Sequence, residues 1–260
     1  MTESAALIAR LRHLACGGVA RQAQAEPQDA WLAAGLARGQ LHEVYAAQPD
    51  MGASAAGFAV ACTLMSGALP MLWLRTEAAE RDGGRLHATD LLELGLDPDA
   101  LLLGVVADER SLLRAAGDGA RCSGLGTVLV EAWGRAPGID LTATRRLMLA
   151  AEASGVTVLL LRVGAEPAPS AAATRWGVAA APSVPLEADA PGQPAFQIEL
   201  QRRRGGPAGQ RWRVEWNRDA RRFTQQTEIA DAAPLPGVGL PLAAGGAAAE
   251  HASAPVRQAG

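Results

Sequence analysis

The chain has 260 residues, a formal net charge of −3 and 49% hydrophobic residues, which fits one large domain able to bury its own core. No apolar run approaches the roughly 20 residues of a membrane span, and the first residues lack the pattern of a signal peptide, so we expect a cytoplasmic protein. The three cysteines and four histidines show no metal-binding spacing and no disulfide framework.

The first predicted element is a short amphipathic helix in residues 3–15, because ESAALIARLRHLA places apolar residues at helical spacing. We assign residues 1–38 to this helix and a linker. The apolar face either packs on the protein's own core or docks a partner, and the spacing supports both interpretations equally. Its members are Leu7, Ile8, Leu11 and Leu14.

Strand-like and helix-like segments alternate from residue 39 onward. The helix-like segments span 53–66, 86–94, 108–121 and 140–153. Nearly continuous apolar strands that alternate with helices are typical of an α/β fold, in which helices cover both faces of a mostly parallel sheet. The strand-like runs span 41–46, 70–75, 101–106, 127–133 and 156–163.

The pattern changes after Gly164. Residues 175–183 and 194–204 form two further strand-like runs, and GGPAGQ supplies a turn before the run at 211–217. This arrangement predicts an antiparallel hairpin over 194–217 that ends the sheet and completes a core of residues 39–228. Residues 229–260 are rich in Ala, Gly and Pro, so we predict a disordered tail.

The first predicted strand is followed by two glycines at the spacing of a phosphate-binding loop, G-x-x-x-x-G-K-[ST]. They are Gly52 and Gly57, but Phe58 and Ala59 stand where that loop has its Lys and its Ser or Thr. The whole chain contains no lysine, so no lysine can bridge the outer phosphates, and the metal-ligating hydroxyl is also missing. We predict a vestigial nucleotide site, kept for its strand-to-helix turn, and no cofactor.

Two acidic residues follow predicted strands at positions where many ATPases carry a metal-coordinating or water-activating acid. Glu77 follows the run at 70–75, and Glu131 lies near the end of the run at 127–133. One interpretation is that both are ordinary polar residues at strand ends. The alternative is a working ATPase in which an arginine, such as Arg75 or Arg85, replaces the missing lysine.

Residues 202–222 hold eight arginines and two acids, a net charge of +6 in a chain of net charge −3. Strand alternation places Arg211, Arg213 and Glu215 on one face of the last predicted strand and its two tryptophans on the other. The arginines suit DNA phosphates or an acidic protein partner, and the tryptophans either stack on bases or belong to the core. The candidate binding residues are Arg202, Arg203, Arg204, Arg211, Arg213 and Arg218.

The order of these elements, with LGLD at 94–97 ahead of the third strand, resembles the ATPase core of RecA recombinase. A closer resemblance is to the ImuA family, RecA-like proteins encoded with an error-prone polymerase system, whose phosphate loop has decayed. It covers about residues 39–223, and its most specific part is PGQPAFQIELQRRRGG together with WRVEW. The stretches that carry it are GQLHEVYAA (39–47) with GFA (57–59), RWGVAAAPS (175–183), residues 190–216 and the strand that holds Glu131.

This resemblance implies a RecA-like sheet and a non-catalytic accessory role in SOS mutagenesis and translesion DNA synthesis. The implied partners are a Y-family-like translesion protein and an error-prone C-family polymerase, with RecA and DNA as further candidates. The departure from RecA at Phe58 and Ala59 argues against ATP hydrolysis. The alternatives are an active ATPase with a non-standard phosphate loop and a scaffold that binds only proteins.

Overall fold

The computed structural model describes residues 35–226. The predicted N-terminal helix with Leu7, Ile8, Leu11 and Leu14, and the predicted tail at 229–260, lie outside this range. The strands are β1 (Leu41–Ala46), β2 (Met71–Thr76), β3 (Leu101–Val106), β4 (Thr127–Trp133), β5 (Thr157–Val163), β6 (Thr174–Ala180), β7 (Ala195–Arg203), β8 (Arg211–Asn217) and β9 (Arg222–Gln225). The helices are α1 (Gly52–Ser66), α2 (Glu77–Gly83), α3 (Ala88–Leu94), α4 (Glu109–Gly119) and α5 (Leu141–Ser154).

The nine strands of residues 35–226 form one sheet in the order β3-β2-β4-β5-β1-β6-β7-β8-β9. Strands β1 to β6 pair in parallel, and β6 to β9 pair antiparallel. This confirms the predicted mostly parallel sheet, flanked by helices and carrying a C-terminal antiparallel hairpin. The prediction that the hairpin ends the sheet is wrong, because β9 pairs with the outer side of β8. Strand β9 has only four residues and too little apolar alternation to be recognised in the sequence.

Helices cover both faces of the parallel part of the sheet. Helix α1 packs on β1, β5 and β6, while α4 packs on β2, β3 and β4, and α5 packs on β1 and β5. Every residue of β1 and β5 is buried as a result, which explains their continuous apolar sequences. The buried apolar side chains form two separate clusters, one on the α1 face of the sheet and one on the α4 and α5 face.

Hydrogen bonds from capping side chains fix where several helices begin. The side chains of Asp108 and Asp140 each accept a backbone N–H at the starts of α4 and α5, which satisfies a donor left free in the first turn. Thr76 does the same for α2, a seven-residue helix that the sequence did not predict. Helix α2 therefore begins directly after β2, next to the predicted nucleotide site.

The hairpin strand β8 alternates as predicted. Arg211 and Arg213 are exposed, whereas Trp212 and Trp216 are buried, with exposed fractions of 6% and 0%. The two tryptophans therefore belong to the core, and the interpretation that they stack on bases is wrong. Burying indoles on this side gives the antiparallel extension a hydrophobic core continuous with the α1 face of the sheet.

Candidate functional site

The segment between the two glycines of the predicted phosphate loop is helical. Gly52 is the first residue of α1 and has right-handed helical angles, with φ −58° and ψ −44°. A short 3-10 turn, Pro49–Met51, connects it to β1. In a phosphate-binding loop, successive backbone N–H groups converge on the anion. Here the chain passes from strand to helix in a few residues, and Gly57 lies in the second turn of α1.

The indole of Trp133, at the end of β4, packs against the first residue of α1. A Cβ atom added at Gly52 would lie 3.1 Å from the Cη2 atom of this indole. A Cβ atom added at Gly83, the last residue of α2, would overlap the same ring. Trp133 therefore fits between two helix ends because both carry glycine. An apolar ring thus covers the start of α1, where an anion would approach a helix N-terminus.

The carboxylate of Glu131 is buried, with 3% exposure, and it accepts three hydrogen bonds. Its Oε2 atom accepts from Trp73 Nε1 at 2.8 Å. Its Oε1 atom accepts from Trp133 Nε1 at 2.6 Å and from Arg75 Nη2 at 2.9 Å. A carboxylate held by three donors at these distances is fully engaged within the protein.

Arg75, the arginine that a working ATPase could use in place of lysine, is also engaged. It is 2% exposed and donates to the carbonyl oxygens of Ala79 at 2.9 Å and Gly84 at 2.8 Å, in addition to Glu131. It therefore ties the end of β2 to α2. Arg85 is 83% exposed at its side chain and lies 4.0 Å from Glu80, and Glu77 is exposed in the first turn of α2.

Phe58 and Ala59, at the positions of the lysine and the hydroxyl residue, are completely buried. The ring centroid of Phe58 lies 5.4 Å from that of Phe223, 6.0 Å from Phe196 and 6.1 Å from Trp176. Offset and edge contacts at these distances stabilise a core beyond simple burial of area. The turn of α1 that would face a nucleotide instead joins the parallel sheet to its antiparallel extension.

The six candidate binding arginines do not form one continuous patch. Arg211 and Arg213 lie on the exposed side of β8, where Arg211 pairs with Glu199 at 3.2 Å and Arg213 donates to the carbonyl oxygen of Pro182 at 2.8 Å. Arg222 extends this exposed side on β9. The glutamates Glu199 and Glu215 lie on the same side and lower its net charge.

The other four candidate arginines lie in different places. Arg202 is half-buried and donates to the carbonyl oxygen of Ser170 at 2.9 Å. Arg204 lies 3.5 Å from Glu152 on α5. Arg203 is exposed at the end of β7, and Arg218 lies in the turn after β8, 3.5 Å from Asp219. The six candidate arginines therefore contribute to several surfaces.

A comparison with solved structures finds a crystal structure of the RadB recombinase, with a TM-score of 0.51 and 15% sequence identity. The match covers 77% of this chain and 96% of the RadB chain. The chain has a RecA-like fold. At this identity the likeness shows the fold alone. No family model and no curated protein sequence matches the chain.

Residues 35–226 contain neither a candidate metal site nor a candidate membrane-spanning helix. Within them, no group of three or more His, Cys, Asp or Glu side chains is placed to hold a metal ion. In the same part of the chain, no helix has the length and apolarity needed to cross a membrane.

Sequence reasoning missed two buried arginines in the RecA-like sheet, Arg162 on β5 and Arg175 on β6. Arg175 is paired with Glu43 of β1 at 2.7 Å, and its guanidinium lies 5.2 Å from the ring centroid of Tyr45. The signal that could have found Arg162 is an arginine inside the otherwise apolar run TVLLLRV. A charged residue in a strand that is buried on both faces needs a partner.

Proposed function

We propose that this protein is a member of the ImuA family and a non-catalytic accessory factor in damage-induced (SOS) mutagenesis and translesion DNA synthesis. The single observation that best supports the non-catalytic part of this proposal is the packing of Trp133 against Gly52, with the carboxylate of Glu131 held by three donors. The sequence resemblance at 39–47, 175–183 and 190–216 supplies the family, and the RecA-like fold is compatible with it.

Nucleotide binding in the manner of a P-loop ATPase would require the packing of Trp133 and its hydrogen bond to be broken together. Trp133 would have to leave the start of α1, which would remove one hydrogen bond from Glu131. A hydrogen bond to a charged group contributes about 1.5–3 kcal/mol, and no lysine exists to offset its loss by binding the outer phosphates. We therefore propose a pseudo-ATPase that uses the RecA-like sheet as a scaffold.

The binding function is proposed for the exposed side of β8 and β9, which carries Arg211, Arg213 and Arg222. Arginines on one side of a sheet suit a phosphate backbone, which they contact without regard to base sequence. By the family resemblance, the protein partners are a Y-family-like translesion protein and an error-prone C-family polymerase. A scaffold that binds only these proteins is the second candidate function.

The catalytic part of this proposal is tested by ATP binding and hydrolysis with purified protein. We expect no saturable binding of a fluorescent ATP analogue and no turnover above that of a Glu77→Gln variant, because Glu77 is the exposed candidate acid. Saturable binding, with turnover that Glu77→Gln abolishes, would show a working ATPase with an unusual phosphate site. An Arg85→Ala variant then tests whether the exposed arginine replaces lysine.

The DNA part is tested by binding to labelled single- and double-stranded DNA over a series of salt concentrations. Arg211→Ala/Arg213→Ala should weaken binding and reduce its salt dependence by about one to two phosphate contacts. The matched control is Arg110→Ala/Arg114→Ala, two exposed arginines on α4 with the same change in charge. Equal effects from both pairs, or no binding at low salt, would leave recruitment of proteins as the function.

The cellular role is tested by the frequency of damage-induced mutations in a strain that lacks this protein. We expect that frequency to fall to the level of a strain without the error-prone polymerase, and to be restored by the wild-type chain. Restoration by Glu77→Gln is also expected, because the proposed role needs no hydrolysis and Glu77 is exposed. An unchanged mutation frequency in the deletion strain would contradict the proposal.

A further inference from the structure

A pocket lies at the carboxyl ends of β4 and β5, on the face of the sheet that α5 covers. This pocket has a volume of about 630 Å³. Its walls are residues 134–141, which follow β4, and residues 164–169, which follow β5. Most of the lining is apolar, and it includes Ala136, Pro137, Ile139, Leu141 and Pro169.

Arg162 of β5 lines this pocket and is 5% exposed. Its Nη2 atom donates to the carbonyl oxygen of Gly134 at 3.3 Å, and its Nε atom is buried without a hydrogen-bond acceptor. Among residues 35–226, no carboxylate lies within 4 Å of this guanidinium. A guanidinium is a cation, so Arg162 is a buried cation with no carboxylate within 4 Å, and the two acids of the pocket lining, Asp140 and Glu166, lie beyond that distance.

The other two buried arginines of the described sheet each have a carboxylate as a partner. Arg75 lies 2.9 Å from Glu131, and Arg175 lies 2.7 Å from Glu43. The Nε atom of Arg75 is also buried without an acceptor, so the missing carboxylate is what distinguishes Arg162. Removing a charge from water is costly unless an opposite charge and hydrogen bonds compensate. Arg162 lacks that compensation but opens onto a pocket large enough for a small ligand.

We propose that this pocket binds a carboxylate carried by an apolar segment of a partner protein. The guanidinium fork matches a carboxylate in geometry and charge, and Arg135 adds a second cation to the lining. The apolar walls suit the side chains next to such a carboxylate. A phosphate dianion fits less well, because Asp140 and Glu166 also line the pocket and repel two negative charges more strongly than one.

This site is separate from the one at Trp133. Leu161 and Val163 of β5 contribute to the core on the α1 face, whereas Leu160 contributes to the core on the α5 face. Alternation along the strand places Arg162 on the α5 face with Leu160. The inference therefore goes beyond the proposed function and does not depend on DNA binding, on nucleotide binding or on the family resemblance.

The binding test uses the full chain with ¹⁵N-labelled arginine and follows the Nε–H signals by NMR. The probes are acetyl-Leu-Glu-Leu-amide, which carries a side-chain carboxylate, and N-acetyl-leucine, which mimics a chain terminus. Their uncharged controls are acetyl-Leu-Gln-Leu-amide and N-acetyl-leucinamide, and inorganic phosphate is a further probe. We expect one carboxylate probe to shift the Arg162 signal saturably, with a Kd at least about tenfold lower than that of its control.

Two variants separate binding from folding. Arg162→Met should abolish the carboxylate preference and leave the melting temperature unchanged or higher, since an unpaired buried cation is lost. Arg75→Met, which breaks a satisfied pair, should lower the melting temperature. Equal binding of carboxylate and amide probes would overturn the proposal, as would tighter binding of phosphate. If Arg162→Met lowered the melting temperature as much as Arg75→Met, Arg162 would have a structural role, and this result would also overturn the proposal.

Discussion

Arg75 and Glu131 are direct neighbours in the parallel register of β2 and β4, and they form an ion pair of 2.9 Å in the interior of the protein. Each is a candidate for a nucleotide site when the sequence is considered alone. In the fold each satisfies the other, and Trp73 and Trp133 supply further donors to the carboxylate. A pair of this kind fixes the relative position of two strands and of α2.

Breaking this pair should be strongly destabilising. Arg75→Met leaves the carboxylate of Glu131 buried with its cation removed, which is expected to lower the free energy of unfolding by about 3–5 kcal/mol. Arg85→Met is the control, because Arg85 is exposed and lies 4.0 Å from its acid, so it should change that energy by less than about 1 kcal/mol. Urea unfolding measures both, and equal losses would contradict a structural role for Arg75.

Restoring the lysine of a phosphate loop should fail. Phe58→Lys places an ammonium group among the rings of Phe196, Trp176 and Phe223 and removes a fully buried aromatic side chain. We expect the free energy of unfolding to fall by at least about 3 kcal/mol. Leu149→Lys is a matched change at an exposed leucine of α5 and should be nearly neutral. A stable Phe58→Lys protein that binds ATP would refute this account of α1.

His42 should make the protein sensitive to mild acid. Its Nε2 atom donates to the carbonyl oxygen of Ala37 and its Nδ1 atom accepts from the hydroxyl of Thr174, both at 2.8 Å. Burial lowers the pKa of His42 from 6.5 to about 4. The unfolded chain therefore binds a proton below about pH 6.5 that the folded chain does not bind until about pH 4.

We therefore expect the free energy of unfolding to keep its full value above about pH 6.5 and to fall as the pH is lowered. The contribution of His42 to this loss should reach about 3 kcal/mol by pH 4. A His42→Gln variant keeps a donor and an acceptor but cannot titrate. Urea unfolding between pH 7 and pH 4 should therefore show a shallower pH dependence in the variant, and parallel curves would argue against a neutral buried histidine.

Most of the sheet could be predicted from the sequence, because strands buried on both faces are continuous apolar runs between turn residues. β1, β3, β4 and β8 have the predicted bounds. Helix α2 and strand β9 could not be found, since their ends depend on a Thr76 cap and on pairing with β8. Both are too short for a periodic pattern.

The candidate site was only partly predictable. An apolar Phe58 in place of lysine already favours burial, and the structure confirms that it is buried. The position of Trp133 could not be predicted, because it depends on glycines in two different helices and on the carboxylate of Glu131, which accepts a hydrogen bond from its indole N–H. The number of arginines in residues 202–222 predicts the net charge of this segment but not the surface on which each arginine lies. Arg202 and Arg218 contact different elements from Arg211.

The packing of Trp133 against α2 predicts that the effect of Gly83→Ala on the free energy of unfolding changes sign when Trp133 is removed. Replacing a helical glycine by alanine normally stabilises a helix by about 0.5–1 kcal/mol. At Gly83, however, the new methyl group would overlap the indole of Trp133, and overpacking costs about 1–3 kcal/mol. Gly83→Ala should therefore destabilise the wild-type protein, yet stabilise a Trp133→Ala variant in which the ring is gone.

Gly117→Ala in α4 is the control for this cycle. A Cβ atom there would meet only the flexible end of Arg121, at 3.4 Å, so the substitution should be stabilising or neutral with or without Trp133. The coupling energy follows from urea unfolding of the four proteins of each cycle. If the effects of Gly83→Ala and Trp133→Ala were additive, the indole would not pack against α2. Because the same ring covers Gly52, the start of α1 would then be open to an anion.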